Sequence, residues 1–194
     1  MDADFAVELG AGDEILEIPW SAPGGQPKYF DLKHQPELIE QLDEVRRMPE
    51  LAGFLRAINS PLGALETAKC DVWASTEITP EEEMFGAACK FGCYVDFLFS
   101  SENYRISFQE HESFARRVVG LLKPAPEIPS SAELLIRRCF YHQGDDTPEG
   151  FYITCYIFGY GDDEAQARQR WAIGCELVAN AIRQVESVAL RCRH

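Results

Sequence analysis

Histidine is scarce in this chain, basic residues are outnumbered, and no apolar run is long. Four histidines occur, at positions 34, 111, 142 and 194. His111 lies between Glu110 and Glu112 and reads as solvated. His142 ends a strand pattern. Neither has a nucleophile beside it in sequence, so no nucleophile–base pair is written locally. The Gly-x-Ser-x-Gly elbow is missing. Gly10-x-Gly12 lacks the third glycine of a dinucleotide fingerprint, and there is no phosphate loop. Glu81, Glu82 and Glu83 read as a solvated acidic turn, because paired carboxylates do acid–base work only inside a pocket. These absences weigh against an enzyme, and no cofactor is expected.

Metal chemistry has equally little to stand on. Cys89-x3-Cys93 and Cys139-x2-His142 fall inside strand patterns, whereas structural zinc prefers paired thiolates on tight turns. Positions three apart on a strand face opposite ways, which separates Cys139 from His142. No metal site is expected. The seven cysteines are an odd number set in apolar strands and helices, as buried thiols are in a reducing compartment. The opening residues carry no Lys/Arg-plus-apolar leader, and no apolar run reaches about 18 residues. A cytoplasmic location is the resulting expectation.

Positive charge is the other shortage. Eighteen Lys and Arg stand against 32 Asp and Glu, giving a net charge of −14. Such a surface repels nucleic acid and anionic membranes, and suits solubility or a basic partner. Residues 1–27 hold Asp2, Asp4, Glu8, Asp13, Glu14 and Glu17 without a Lys or Arg, while residues 165–194 hold five Arg, at 168, 170, 183, 191 and 193. An acidic start and a basic end can attract each other, within one chain or between two.

What is present is strand and helix patterning, organised around residues 132–190. Residues 132–142 and 151–160 are rich in Ile, Leu, Phe, Tyr and Thr and read as strands. Residues 143–150 between them are turn chemistry. Asp162, Asp163 and Glu164 then open a helix. Along it Trp171, Cys175, Val178, Ile182, Val185, Ala189 and Cys192 form one apolar stripe. Upstream, residues 1–18 carry one or two short strands and residues 19–27 a Pro/Gly loop. Pro36 opens two short helices, or one helix kinked at Pro49. Residues 65–78 and 90–99 alternate as strands. Residues 104–108 read as a short third strand. Ser107-x-x-Glu110 has capping-box form before the next helix.

The division is an N-terminal extension over residues 1–35 and one domain over 36–194. The fold class is α+β: a two-layer, mainly antiparallel sheet built from two β-hairpins, with helices packed on one face. Thr-Pro-Glu recurs at 79–81 and 147–149, between the strands of each pair, and suggests a ββα duplication. The element order is similar to two architectures, the type III secretion chaperone-like fold and the duplicated effector-binding domain of bacterial regulators. The first resemblance implies an acidic, dimeric, non-catalytic holder of proteins, the second a small-molecule binder. No residue motif accompanies either one.

If helices cover one sheet face, strand parity places Trp73, Tyr94, Asp96, Arg137, Tyr141, Tyr152, Thr154, Tyr156 and Tyr160 on the other. Rings with a few charges make a usable binding surface. The plainer alternative is that this face packs on the N-terminal segment or a second subunit. Asp96 and Arg137 or Arg138 are expected to pair across the sheet. The functional expectation is a binding protein that engages a protein partner, or a second copy of itself, through this aromatic face. The alternatives are a small-molecule effector domain on the same face and an enzyme of unassigned reaction. Neither nucleic acid nor a membrane is an expected partner.

Overall fold

The computed structural model describes residues 1–13, 15–19, 29–125, 127–142 and 146–191. Most of the loop expected over 19–27, residues 143–145 of the turn expected over 143–150, and Cys192, Arg193 and His194 lie outside the described residues. The described residues form six strands: β1 (Asp2–Glu8), β2 (Leu16–Ile18), β3 (Leu65–Ser75), β4 (Cys89–Phe99), β5 (Ser130–Tyr141) and β6 (Glu149–Gly161). The α-helices are α1 (Asp43–Arg47), α2 (Glu50–Ile58), α3 (Glu102–Arg105), α4 (Phe108–Leu122) and α5 (Glu164–Arg191). Short 3-10 helices occupy Pro36–Gln41 and Glu82–Phe85.

The sheet runs β1-β5-β6-β4-β3, and β2 also pairs with β5. The ladders β3–β4, β4–β6 and β5–β6 are antiparallel. The edge departs from the expected hairpins: β1 and β2 both lie parallel to β5, as Asp2↔Ser131 through Glu8↔Arg137 and Leu16↔Cys139 through Ile18↔Tyr141. Two short strands thus share one neighbour end to end, which brings the acidic start of the chain onto the sheet. The expected strand at 104–108 is also absent. Tyr104 and Arg105 end the single turn of α3, and Ser107 caps α4 by accepting a hydrogen bond from the Glu110 N–H at 3.3 Å. The capping signal overrides the weak strand pattern.

The main core joins alternate strand residues to the apolar stripes of the helices. Phe91, Cys93, Val95 and Phe97 of β4 and Ile153, Cys155 and Ile157 of β6 cluster with Leu51, Leu55 and Ile58 of α2, Phe114, Val118 and Leu122 of α4, and Trp171, Cys175, Val178, Ile182 and Val185 of α5. Period two on the strands and 3.6 on the helices meet along this seam. Close approach is set by Gly159 of β6. A Cβ there would run into the backbone of Trp171 and the carbonyl of Ala167, so α5 lies against the strand itself at this point. A second, smaller core holds Leu16, Ile18, Leu98, Cys139, Tyr141 and Tyr152.

His111, expected to be solvated, is fully buried. Its helix turns it inward between Phe99 and Phe151, with ring centroids at 4.8 and 5.7 Å, while its neighbours Glu110 and Glu112 sit at the surface side of α4.

The described cysteines are free thiols. Cys93, Cys139, Cys155 and Cys175 are buried, and Cys70 and Cys89 are half-buried. Burial pushes the Cys139 thiol up to about 12 and raises those of Cys70, Cys155 and Cys175. A buried thiol kept protonated is a poor nucleophile. Brief treatment of the native protein with a thiol reagent at pH 7.5, read by peptide mass spectrometry, is therefore expected to label Cys89 and to spare Cys93, Cys139, Cys155 and Cys175. Labelling of Cys155 before unfolding would contradict the burial described.

Candidate functional site

The side chains on the sheet surface opposite the main core come from the intervening strand positions. Register places Trp73 beside Gly92 and Phe158 in one row, and Asp71, Tyr94, Tyr156 and Glu133 in the next. A third row carries Lys69, Asp96, Thr154 and Leu135. Every residue that parity assigned to this face lies on it, because the one irregularity of β3 falls between Thr67 and Lys69, before the positions that matter.

Trp73, Tyr94, Tyr156 and Phe158 are half-buried and form a continuous aromatic patch. Trp73 meets Phe158 edge-on at 5.8 Å and Tyr94 at 6.3 Å. Tyr156 lies 6.0 Å from Tyr94 and stacks parallel to Phe158 at 6.2 Å. Gly92 makes this possible. A Cβ at that position would overlap the Phe158 ring, so only glycine lets the ring lie flat across β4. Lys69 sits over Tyr94 at 5.5 Å and Lys90 over Phe158 at 5.4 Å, both within cation–π range. Phe158 had the same parity as Tyr156 and was legible by period two. Lys69 and Lys90 were legible in the same way.

One end of the patch is closed by the 3-10 turn at Glu82–Phe85. Phe85 stacks on Tyr160 at 4.1 Å, and the Tyr160 hydroxyl donates to Glu82 Oε1 at 3.0 Å. Lys90 Nζ donates to Glu82 Oε2 at 2.8 Å. Burial works against the charge of Glu82, but the bonds from Lys90, Thr79 and Tyr160 outweigh it and hold the carboxyl below its ordinary range. Tyr160 is itself buried. No local signal in the sequence joined Phe85 to Tyr160.

At the other end Tyr141 and Tyr152 belong to the smaller core and are each 2% exposed. The Tyr141 hydroxyl donates to the Phe151 carbonyl at 2.7 Å, and the Arg105 guanidinium lies over its ring at 5.1 Å. Burial raises the Tyr141 pKa. These two tyrosines share the sheet face with Trp73 and Tyr156 but not their exposure.

Between the two ends runs a polar chain. Arg137 Nε donates to Glu8 Oε2 at 2.7 Å, and its Nη1 donates to Thr154 Oγ1 at 3.3 Å. The Thr154 hydroxyl donates to Asp96 Oδ1 at 2.7 Å. Thr154 thus bridges Asp96 and Arg137, in place of the expected direct cross-strand pair. Burial opposes the charge of Arg137, but Glu8 and the neighbouring Tyr152 and Tyr156 hold its pKa above the ordinary value. Asp96 is 4% exposed and Thr154 1%. His142 stands apart: it is exposed, with Nε2 at 3.1 Å from Glu17 Oε2.

Asp96, Arg137 and His142 therefore do not gather in one cleft as an acid–base constellation requires. Along the β1–β5 edge of the face Asp2, Asp4 and Glu133 are exposed. Burial, together with Glu8 and Asp4 beside it, raises the Glu133 pKa. A cleft of about 420 Å³ opens along the β3 edge, with Tyr94, Lys69 and Asp71 in its wall. Among the described residues no group of three or more His, Cys, Asp or Glu could hold a metal ion, and no helix is long and apolar enough to cross a membrane. Comparison with protein-family models, with curated proteins and with solved structures found no match.

Proposed function

We propose that this protein is a non-catalytic interaction module that holds a protein partner against the aromatic face of its sheet. The observation that carries the reading is the continuous patch of Trp73, Tyr94, Tyr156 and Phe158. In this reading the long helices serve one face and leave the other bare. It is supported by the main core, which draws its strand residues from the opposite parity. Rigid rings supply contact area at little cost in conformational freedom, and such rings dominate protein interfaces.

The partner is basic where it meets the β1–β5 edge. Asp2, Asp4 and Glu133 are exposed there, and the chain as a whole carries −14. That charge disfavours a second acidic copy at the same place. The ligand-sized cleft beside Tyr94 favours a second reading, a small-molecule effector domain. We also read the two ββα units as a duplication. The order β5-β6-β4-β3 puts the second strand of each pair at the centre, where Tyr94 pairs with Tyr156.

Affinity capture from the source organism tests the proposal, with the wild-type chain beside a Trp73→Ser, Phe158→Ser variant of matched circular dichroism. Loss of two central rings is expected to weaken a bound protein by at least about 30-fold, the effect of one strong hot spot. The retained protein is expected to be basic and to elute with salt. A partner held equally by both forms would sink the proposal, and capture of a small molecule alone would select the second reading.

A further inference from the structure

While α4 turns its apolar side into the core, it leaves a second stripe outside. Ile106 stands just before the cap Ser107, and Glu110, Ser113, Arg117 and Leu121 follow along the helix. Steps of three and four keep such positions on one side. Glu110, Ser113 and Arg117 line one cleft, as residues on one side must. All five are exposed, Ile106 by 54% and Leu121 by 41%. A single exposed apolar residue needs no explanation. The order of these five does. The midpoint between Glu110 and Arg117 falls beside Ser113, and so does the midpoint between Ile106 and Leu121. The stripe reads apolar, acidic, small, basic, apolar. Turned end for end, it lies against itself with apolar on apolar and each charge on its opposite.

Within one chain the two charges stay apart. Seven positions along a helix is about 10.5 Å, too far for Glu110 and Arg117 to meet. The ion pair of α4 is Glu112–Arg116, at 2.7 Å. Arg117 gives one hydrogen bond, to the Val185 carbonyl at 3.1 Å, and neither it nor Glu110 forms an ion pair among the described residues. Glu186, the other carboxyl in the cleft, accepts from the Ala64 N–H at 2.6 Å. With Glu110, Glu112, Arg116 and Arg117, the helix is neutral in a chain of −14. A second acidic copy meets less repulsion here than at the β1–β5 edge. The ground beside Ser113 is also apolar: Phe99, Phe114 and Val185 line the cleft, and Leu62 at its rim is 86% exposed.

From the self-matching order and the local neutrality, we propose that α4 docks antiparallel on the α4 of a second copy of this chain, about a two-fold axis at Ser113. Glu110 then meets the second copy's Arg117, and Arg117 its Glu110. Ile106 and Leu121 meet at both ends. The short Ser113 side chains let the two helix axes approach. A contact of this isologous kind closes at two copies. It shares no residue with the aromatic face and does not rest on the reading given for that face.

Sedimentation equilibrium of the full chain over a concentration series tests this, with variants of matched circular dichroism. The wild type is expected to fit a monomer–dimer equilibrium. Glu110→Arg and Arg117→Glu are each expected to weaken the dimer at least about tenfold, because each sets two like-charged pairs across the axis. An equimolar mixture of these two variants is expected to dimerise as the wild type does, since every Arg then faces a Glu. Ser113→Cys, oxidised in air, is expected to give a disulfide-linked dimer, and Arg116→Cys, off the stripe, is not. The Trp73→Ser, Phe158→Ser variant is expected to dimerise unchanged. A chain that stays monomeric up to about 1 mM overturns the proposal. So does a dimer unmoved by either charge reversal, or a mixture no tighter than its parts. A dimer lost in Trp73→Ser, Phe158→Ser but kept in Glu110→Arg puts the copies on the aromatic face and overturns it equally.

Discussion

Gly159→Ala is expected to be among the most damaging single changes in this protein, costing about 3 kcal/mol or more of stability. The added methyl would enter the backbone of α5 at Trp171 and Ala167, not the end of a movable side chain. Relief requires the helix to lift from β6, which separates Trp171 from Phe91, now 4.9 Å away, and opens the seam of Cys175, Val178 and Ile182. Close-packed interiors do not absorb such a shift locally. Urea denaturation of wild type and variant measures the difference. Gly53→Ala is the control. Nothing lies near a Cβ at that helical position, and the change is expected to be neutral or slightly stabilising.

The second large effect is on acid stability. His111 is fully buried between rings, with Nδ1 donating to the Ser107 carbonyl at 2.8 Å. Burial lowers its pKa to about 4, against the opposing pull of the Ser107 and Phe151 carbonyls. The unfolded chain takes up this proton near the ordinary value of 6.5, and the folded chain only near 4. Between those values the unfolded state binds more protons, so stability rises with pH and is lost as pH falls from 6.5 towards 4. The whole window is worth about 3 kcal/mol, at about 1.4 kcal/mol per pH unit. Urea midpoints of wild type across this range are expected to fall more steeply than those of His111→Phe. The difference between the two curves isolates the histidine from the carboxylates, which titrate in both. Parallel curves would show that the ring is not held neutral.

The sequence carried the face and not the edge. Alternation in β3, β4, β5 and β6 is a period-two signal that depends only on nearest neighbours. It assigned Trp73, Tyr94, Asp96, Arg137 and Tyr156 to one side correctly. Parity says nothing of what lies over each position. Tyr141 and Tyr152 shared that parity but are covered in the smaller core with Leu16 and Ile18 of β2. Their cover arrives from more than 100 residues away in the chain, and β2 is three residues long. Parallel pairing of β1 and β2 with β5 likewise leaves no turn signature, since no tight loop joins the partners. His111 failed for a different reason. Flanking glutamates suggested solvent, whereas on a helix the neighbours that share a face are three and four positions away, at Phe108, Phe114 and Ala115.

The most direct test of the docking face is site-specific photo-crosslinking with the captured partner. p-Benzoylphenylalanine is placed at position 156, in the centre of the patch, and separately at position 116, which is exposed on α4. The account predicts a crosslink to the partner from 156 and none from 116. A partner that binds normally but crosslinks from 116 and not from 156 would contradict it.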